Sequence, residues 1–192
     1  MNRIVMLNGS PKKKGSASEQ YLNMIYENLD NNYYIEEYDM NKLTNTIKKS
    51  ILNADMLIIA TPLYIDCLPS HVIKFLMELG DNDIAGKEVY FLVNCGFLEG
   101  VHTDVSVEIL KNYCDYHHLI YKGSLGIGAG PIAYKKRIYN YFVKKELIIF
   151  SNYINYHKNY EDDYVRPLIP RFIYILFANI NWFIQIKSFK KN

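Results

Sequence analysis

Hydrophobic and polar positions along the chain alternate between two kinds of pattern. Short, nearly unbroken apolar runs occur at Ile4-Val5-Met6-Leu7, Asp55-Met56-Leu57-Ile58-Ile59-Ala60 and Val89-Tyr90-Phe91-Leu92-Val93. Runs of this length and continuity predict strands buried on both faces. Tyr33 to Tyr38 alternates only weakly, as a strand at a sheet edge does, and Leu119-Ile120-Tyr121 with Gly123 to Leu125 predicts a fifth strand. Between them the apolar residues take helical spacing. Tyr21, Leu22, Ile25 and Leu29 mark a helix over 17–29, and Val72, Phe75, Leu76 and Leu79 mark another from Ser70 to Leu79. Further helices are expected over 44–53, 102–117 and 133–157. Strand and helix thus alternate five times, which predicts an α/β fold: a parallel sheet with helices on both faces, joined by right-handed crossovers. In such sheets ligands bind outside the carboxyl ends of the strands. Four loops lie there: 8–18, 61–69, 94–100 and 126–131.

The first loop, Asn8-Gly9-Ser10-Pro11-Lys12-Lys13-Lys14-Gly15-Ser16-Ala17-Ser18, joins a strand to a helix start. Free N–H groups and the positive end of a helix dipole attract a phosphate there. Ser10, Ser16 and Ser18 add hydroxyl donors, and the lysines add charge. The same residues would also serve an ordinary turn with a serine cap. The spacing is neither Gly-x-Gly-x-x-Gly nor Gly-x-x-x-x-Gly-Lys-Ser/Thr, which argues against a Rossmann dinucleotide fingerprint and against a P-loop NTPase. The second loop, from Thr61 to Ser70, is stiffened by Pro62 and Pro69. Its expected N–H groups, with the ring of Tyr64 and apolar cover from Leu63 and Ile65, suit a planar heteroaromatic ring; alternatively Tyr64 packs on a neighbour. In Asn94-Cys95-Gly96-Phe97 the glycine allows close backbone approach and Phe97 could cover a ring. Cys95 has no adjacent base or second cysteine and reads as a buried, inert thiol. His71, which follows Ser70 at an expected helix start, could lie near a ligand but is read as structural.

The 192 residues suffice for one full-sized domain, and the net charge of +2 is too small to imply nucleic-acid binding. The three cysteines are isolated, so no zinc site or disulfide framework is suggested. The sequence starts directly with a strand and shows no signal peptide, so a reducing cytoplasm is expected.

Taken together, Gly9-Ser10-Pro11 with its lysines and Gly15-Ser16, Thr61-Pro62-Leu63-Tyr64 with Leu68-Pro69-Ser70 and Lys74-Phe75-Leu76, and Asn94-Cys95-Gly96-Phe97 resemble the flavodoxin-like NAD(P)H-dependent FMN reductases and quinone reductases. The resemblance covers roughly residues 3–155. It implies a three-layer, five-stranded parallel sheet in the order 2-1-3-4-5. It implies FMN as cofactor, with its phosphate on the 10–18 loop (Ser10, Lys12, Ser16, Ala17, Ser18). The flavin ring edge would lie against Pro62, Leu63, Tyr64 and Ile65 and against Asn94, Cys95, Gly96 and Phe97. The implied activity is an oxidoreductase passing hydride from NAD(P)H through flavin to a small-molecule acceptor such as a quinone or nitro compound, commonly as a homodimer. A flavodoxin-type electron carrier without NAD(P)H turnover is the alternative, but such carriers are strongly acidic and this chain is not. Two departures stand out. The family's phosphate loop usually carries Asn and Thr after its glycine, where Ser16, Ala17 and Ser18 stand here. Iron–sulfur relatives carry a cysteine cluster after the third strand, where Cys67 stands alone.

The FMN-binding domain is expected over 1–160, with an apolar helical extension over 161–192. Phe172 to Ile186 is strongly apolar, interrupted by Asn179, Asn181 and Gln185, and is followed by Lys187, Lys190 and Lys191. It is too short and too polar for a membrane span. It is read as a helix packed on the body or across a dimer, or alternatively as an interfacial membrane helix with a basic end.

Overall fold

The structure is a computed structural model and describes residues 2–12, 14–133 and 140–189. Its centre is a parallel sheet built from β1 (Arg3–Asn8), β2 (Tyr34–Asp39), β3 (Met56–Pro62), β4 (Glu88–Asn94), β5 (Ile120–Ile127) and β6 (Asp163–Val165), in the order β2-β1-β3-β4-β5-β6. The unbroken apolar runs are explained by a core on each face. Val5, Leu7, Leu57, Ile59, Val89, Phe91 and Val93 point to one side. There they meet α2 (Asn45–Leu52), α3 (Ser70–Gly80) and α4 (Asp104–Tyr116). Ile4, Met6, Met56, Ile58, Tyr90 and Leu92 point to the other, against α1 (Ala17–Tyr26) and α6 (Tyr141–Asn155). Successive strand residues face opposite ways, so covering both faces requires every position to be apolar. β2 at the edge is half exposed throughout.

The expected three-layer architecture is present, with a sixth strand in place of the five expected. β6 pairs with β5 through Leu125–Asp163, Gly126–Tyr164 and Ile127–Val165, so the sheet runs on past residue 160. Asp162 secures the junction. It accepts from the Ser124 N–H at 2.8 Å, the Ser124 hydroxyl at 2.9 Å and the Tyr121 hydroxyl, and it pairs with Lys111 at 2.6 Å. Three residues flanked by Glu161-Asp162 carry too little period to announce a strand.

The expected 126–131 loop is shorter than its sequence suggests. Gly126 and Ile127 continue β5, and Gly130 opens the short helix α5 (Gly130–Ala133). Of the helix expected over 133–157, the described part begins at Tyr141; 134–139 lie outside the described residues, as do Lys13, Lys190 and Lys191. The tail forms α7 (Arg171–Phe189). It meets the body near its start, where Ile173 and Tyr174 pack on Leu98, Ala129 and Ile169 and the Tyr174 hydroxyl donates to Gly96 O. Phe172, Ile175, Leu176, Ile180, Phe183 and Ile186 are exposed. Among the described residues, no helix is long and apolar enough to cross a membrane.

Candidate functional site

Three loops at the carboxyl ends of β1, β3 and β4 are tied to one another by buried polar groups. The first begins at Asn8, whose amide donates to Asp39 at 3.0 Å and whose side-chain oxygen accepts the Ser10 N–H at 3.1 Å. This is an Asx turn, and it aims the chain out of the strand. Gly9 N–H donates to Ala60 O at 2.7 Å. His71 Nε2 lies 3.1 Å from Gly9 O; a carbonyl only accepts, so the Nε2–H tautomer donates. His71 thereby pins the loop to α3.

Ser16 caps α1 in a reciprocal capping box: its hydroxyl accepts from Glu19 N–H at 3.1 Å, and its own N–H donates to Glu19 Oε2 at 3.2 Å. Gln20 N–H donates to Ser16 O. Ala17 and Ser18 hold the remaining first-turn N–H groups, which have no carbonyl one turn earlier. Gly15 takes φ +65° to turn the chain into the helix, and Lys12 Nζ closes the loop on Gly15 O at 2.9 Å. Ser10, Ser16 and Ser18 are 5%, 4% and 1% exposed, yet each hydroxyl is engaged as an acceptor: from Lys12 N–H, from Glu19 N–H and from Asn94 Nδ2. A hydroxyl that accepts still has its own proton to give. The loop is therefore a donor-rich cradle for an anion at the N-terminus of a ten-residue helix. Beside it a cavity of about 190 Å³ is lined by Asn8, Glu19, Glu37 and Asp39. Burial, then the Glu19 carboxylate, pushes the Glu37 carboxyl up.

Asn94 links the loops. Its amide donates to Ser18 Oγ at 2.9 Å and to Thr61 O at 3.1 Å, and its backbone carbonyl accepts the Leu63 N–H at 2.7 Å. Gly130 packs so closely on it that a Cβ there would lie 2.8 Å from Asn94 Oδ1. The second loop is a tight hairpin. Tyr64 and Cys67 exchange backbone hydrogen bonds at 2.8 and 3.2 Å, and Ile65 and Asp66 both have positive φ, 50° and 55°. Ile65 is 99% exposed, Tyr64 is half exposed, and Phe97 stands exposed on the third loop. Phe97 packs against His102 with the rings tilted by 37° and their centroids 4.4 Å apart.

The structure sorts the residues expected from sequence. Ser10, Ser16, Ala17 and Ser18 share the anion cradle, while Tyr64, Ile65, Gly96 and Phe97 form an exposed rim. Lys12 holds the loop's shape. Pro62 is half-buried at the end of β3 and supplies no N–H. Leu63 is buried, and the Leu63 and Tyr64 N–H groups are spent within the protein, so those two donors are not on offer in this loop. The Cys95 thiol is buried against Phe97 O and Glu99 O, and burial pushes it up to about 11, which keeps it protonated and unreactive at neutral pH. Asn8, Thr61 and His71 are supporting residues that the sequence reading did not assign to the site. Asn8-x-Ser10 is a local signal that could have pointed to Asn8, because Asn two residues before a loop N–H is the Asx-turn pattern; Thr61 and His71 join through long-range contacts that no local pattern announces.

No family model matches the sequence, and no curated protein matches it. Solved structures do. An apo NADH:FMN oxidoreductase (EMOB) superposes with a TM-score of 0.65 at 17% identity, over 82% of this chain and 90% of its own. A flavodoxin of Streptococcus pneumoniae TIGR4 gives 0.59 at 14%, over 79% and 96%. An NADPH-quinone reductase from P. pentosaceus gives 0.56 at 11%, over 81% and 98%. The fold is flavodoxin-like. Within a flavodoxin-like fold, the three tied loops occupy the strand ends at which open α/β sheets take their ligands.

Proposed function

We propose that the protein is an FMN-dependent NAD(P)H oxidoreductase. The observation that carries this reading is the set of three buried serine hydroxyls on the first loop, each accepting one hydrogen bond and left with a proton to donate. Burying hydroxyls without a partner for the donor is costly, so a cradle of this kind suits an anion. The similarity to flavin reductases and a flavodoxin supports the same choice. FMN fits these residues. Ser10, Ser16 and Ser18, with the first-turn N–H groups of Ala17 and Ser18, would hold its phosphate. Ile65, Tyr64 and Phe97 would shield its ring from water. When bound, FMN supplies two-electron chemistry between NAD(P)H and a quinone or nitro acceptor. The protein's share is to bind, orient and exclude water.

Purified protein reconstituted with FMN is expected to be yellow, to release FMN on denaturation, and to oxidise NAD(P)H when an acceptor quinone is supplied. A protein that stays colourless in excess FMN would overturn the reading. Tight FMN binding without NAD(P)H oxidation would reassign the protein as an electron carrier.

A further inference from the structure

The third loop turns a row of carbonyl groups toward the protein. Cys95 O accepts the Gly130 N–H at 2.8 Å, Phe97 O accepts the Ala129 N–H, and the Cys95 thiol donates to Phe97 O and Glu99 O. These partners come from the loop itself or from the residues just after β5. Gly96 O is held differently. It accepts the Tyr174 hydroxyl, which reaches it from α7, 78 residues further along the chain.

Tyr174 is delivered there by a secured segment. Val165 O at the end of β6 accepts the Gly128 N–H at 2.8 Å, and Ile169 is buried. Ile169, Ile173 and Tyr174 pack with Leu98 and Ala129. The Tyr174 N–H donates to Pro170 O at 3.1 Å as the helix starts. Tyr174 is the one tyrosine in residues 171–192, so it alone of the tail's aromatic side chains carries a hydroxyl. Burial first, then Cys95 and Glu99, push its phenol up, so at neutral pH it keeps the proton that it donates.

The Gly96 carbonyl and the Phe97 N–H belong to one planar trans unit and point in opposite directions. Fixing the carbonyl therefore fixes the N–H, and with it the start of the residue whose ring stands on the rim. Glycine on one side of the unit leaves that plane free to turn at little cost. A brace has its largest effect at such a residue.

We propose that Tyr174 is a positioning residue of the candidate flavin site: its bond to Gly96 O orients the Gly96–Phe97 peptide and so presents the third loop to the ring of FMN. The role toward FMN rests on the function proposed above; the brace itself does not.

Tyr174→Phe removes the hydroxyl and keeps the ring that packs on Leu98. In flavin-free protein, nitrogen-15 relaxation of the Gly96 and Phe97 amides reads the brace. Order parameters near the rigid-backbone value of about 0.85 are expected in the full chain, with a fall toward about 0.6 in Tyr174→Phe. Adding Gly96→Ala to Tyr174→Phe is expected to restore part of the order, because alanine narrows the backbone and, among the described residues, a Cβ there has nothing within 4 Å. Tyr174→Phe is also expected to bind FMN about three- to tenfold more weakly and to shift the absorption bands of the bound flavin, with a Tm within about 4 °C of the full chain. A residue that only stabilised the fold would leave the spectrum of bound flavin alone. Equal order parameters in the two proteins would overturn the brace. Equal FMN affinity and spectrum in a variant with a loosened loop would overturn the role toward FMN. If the full chain itself ignores FMN, the function proposed above fails and the flavin role of Tyr174 falls with it, while a loosened loop would still establish the brace.

Discussion

Ile65 sits in a conformation that β-branched side chains avoid. Its φ of 50°, with 55° at Asp66, makes the Tyr64–Cys67 link a two-residue hairpin of the mirror-image type that favours Asn-Gly. Strain of this sort costs about 1–3 kcal/mol per residue and persists where function holds it in place. The strained residue is also the fully exposed apolar tip of the candidate flavin rim. Ile65→Asn/Asp66→Gly is therefore expected to raise unfolding free energy by about 1–2 kcal/mol, because it supplies the residues this turn prefers. It is also expected to weaken FMN affinity several-fold, because the apolar cover is gone. Denaturant melts and flavin fluorescence titration read the two effects separately; a gain in stability with unchanged affinity would remove Ile65 from the rim. The serines at 10, 16 and 18 were legible from sequence because hydroxyls and glycines before a helix follow local rules. The inward turn of Leu63 was not, since one apolar residue in a loop carries no period.

At the level of the element, β6 shows how a three-residue strand is held by side chains next to it. Burial alone would push the Asp162 carboxyl up, but hydrogen bonds from Lys111, Tyr121 and Ser124 outweigh it and hold Asp162 below the usual carboxylate range. A group with a lowered folded pKa adds stability above its unfolded pKa, about 3.9 for Asp, and loses it as pH falls through the folded value. Wild-type protein is thus expected to lose stability as pH drops below about 4. Asp162→Asn is expected to cost about 2 kcal/mol at pH 7, where the charge-assisted bonds are lost, and to show a shallower acid decline. Urea titrations at pH 7 and on the acid side check both, and parallel decline in the two proteins would remove Asp162 from the cause. The main helices and the first five strands were legible because each has enough residues to display a period. β6 was not, because Asp163-Tyr164-Val165 is specified by its partners in β5 and by Asp162.

For the whole molecule, the sheet divides the work. Both faces are filled by helices, and the carboxyl ends of β1, β3 and β4 collect the polar loops. α7 stands apart from this plan, joined near its start through Ile173, Tyr174 and an Arg171–Glu99 pair at 4.0 Å. Removing residues 171–192 is accordingly expected to leave a folded sheet with a Tm within about 4 °C of the full chain. A collapse of the melting transition in calorimetry would show that α7 belongs to the core.

The order of apolar runs and helical stripes, the burial of the central strands and the crowding of serine, proline and glycine at one end of the sheet were determined by the sequence. Each is a local consequence of period and residue type. Tertiary structure alone decided how the loops use their polar groups. Asn94 joins Ser18 to Thr61, Leu63 and Tyr64 spend their N–H groups inside the protein, and His71 fixes Gly9. Hydrogen-bond partners and covered faces depend on which distant segments are brought side by side, and a periodicity read along the chain holds no information about that.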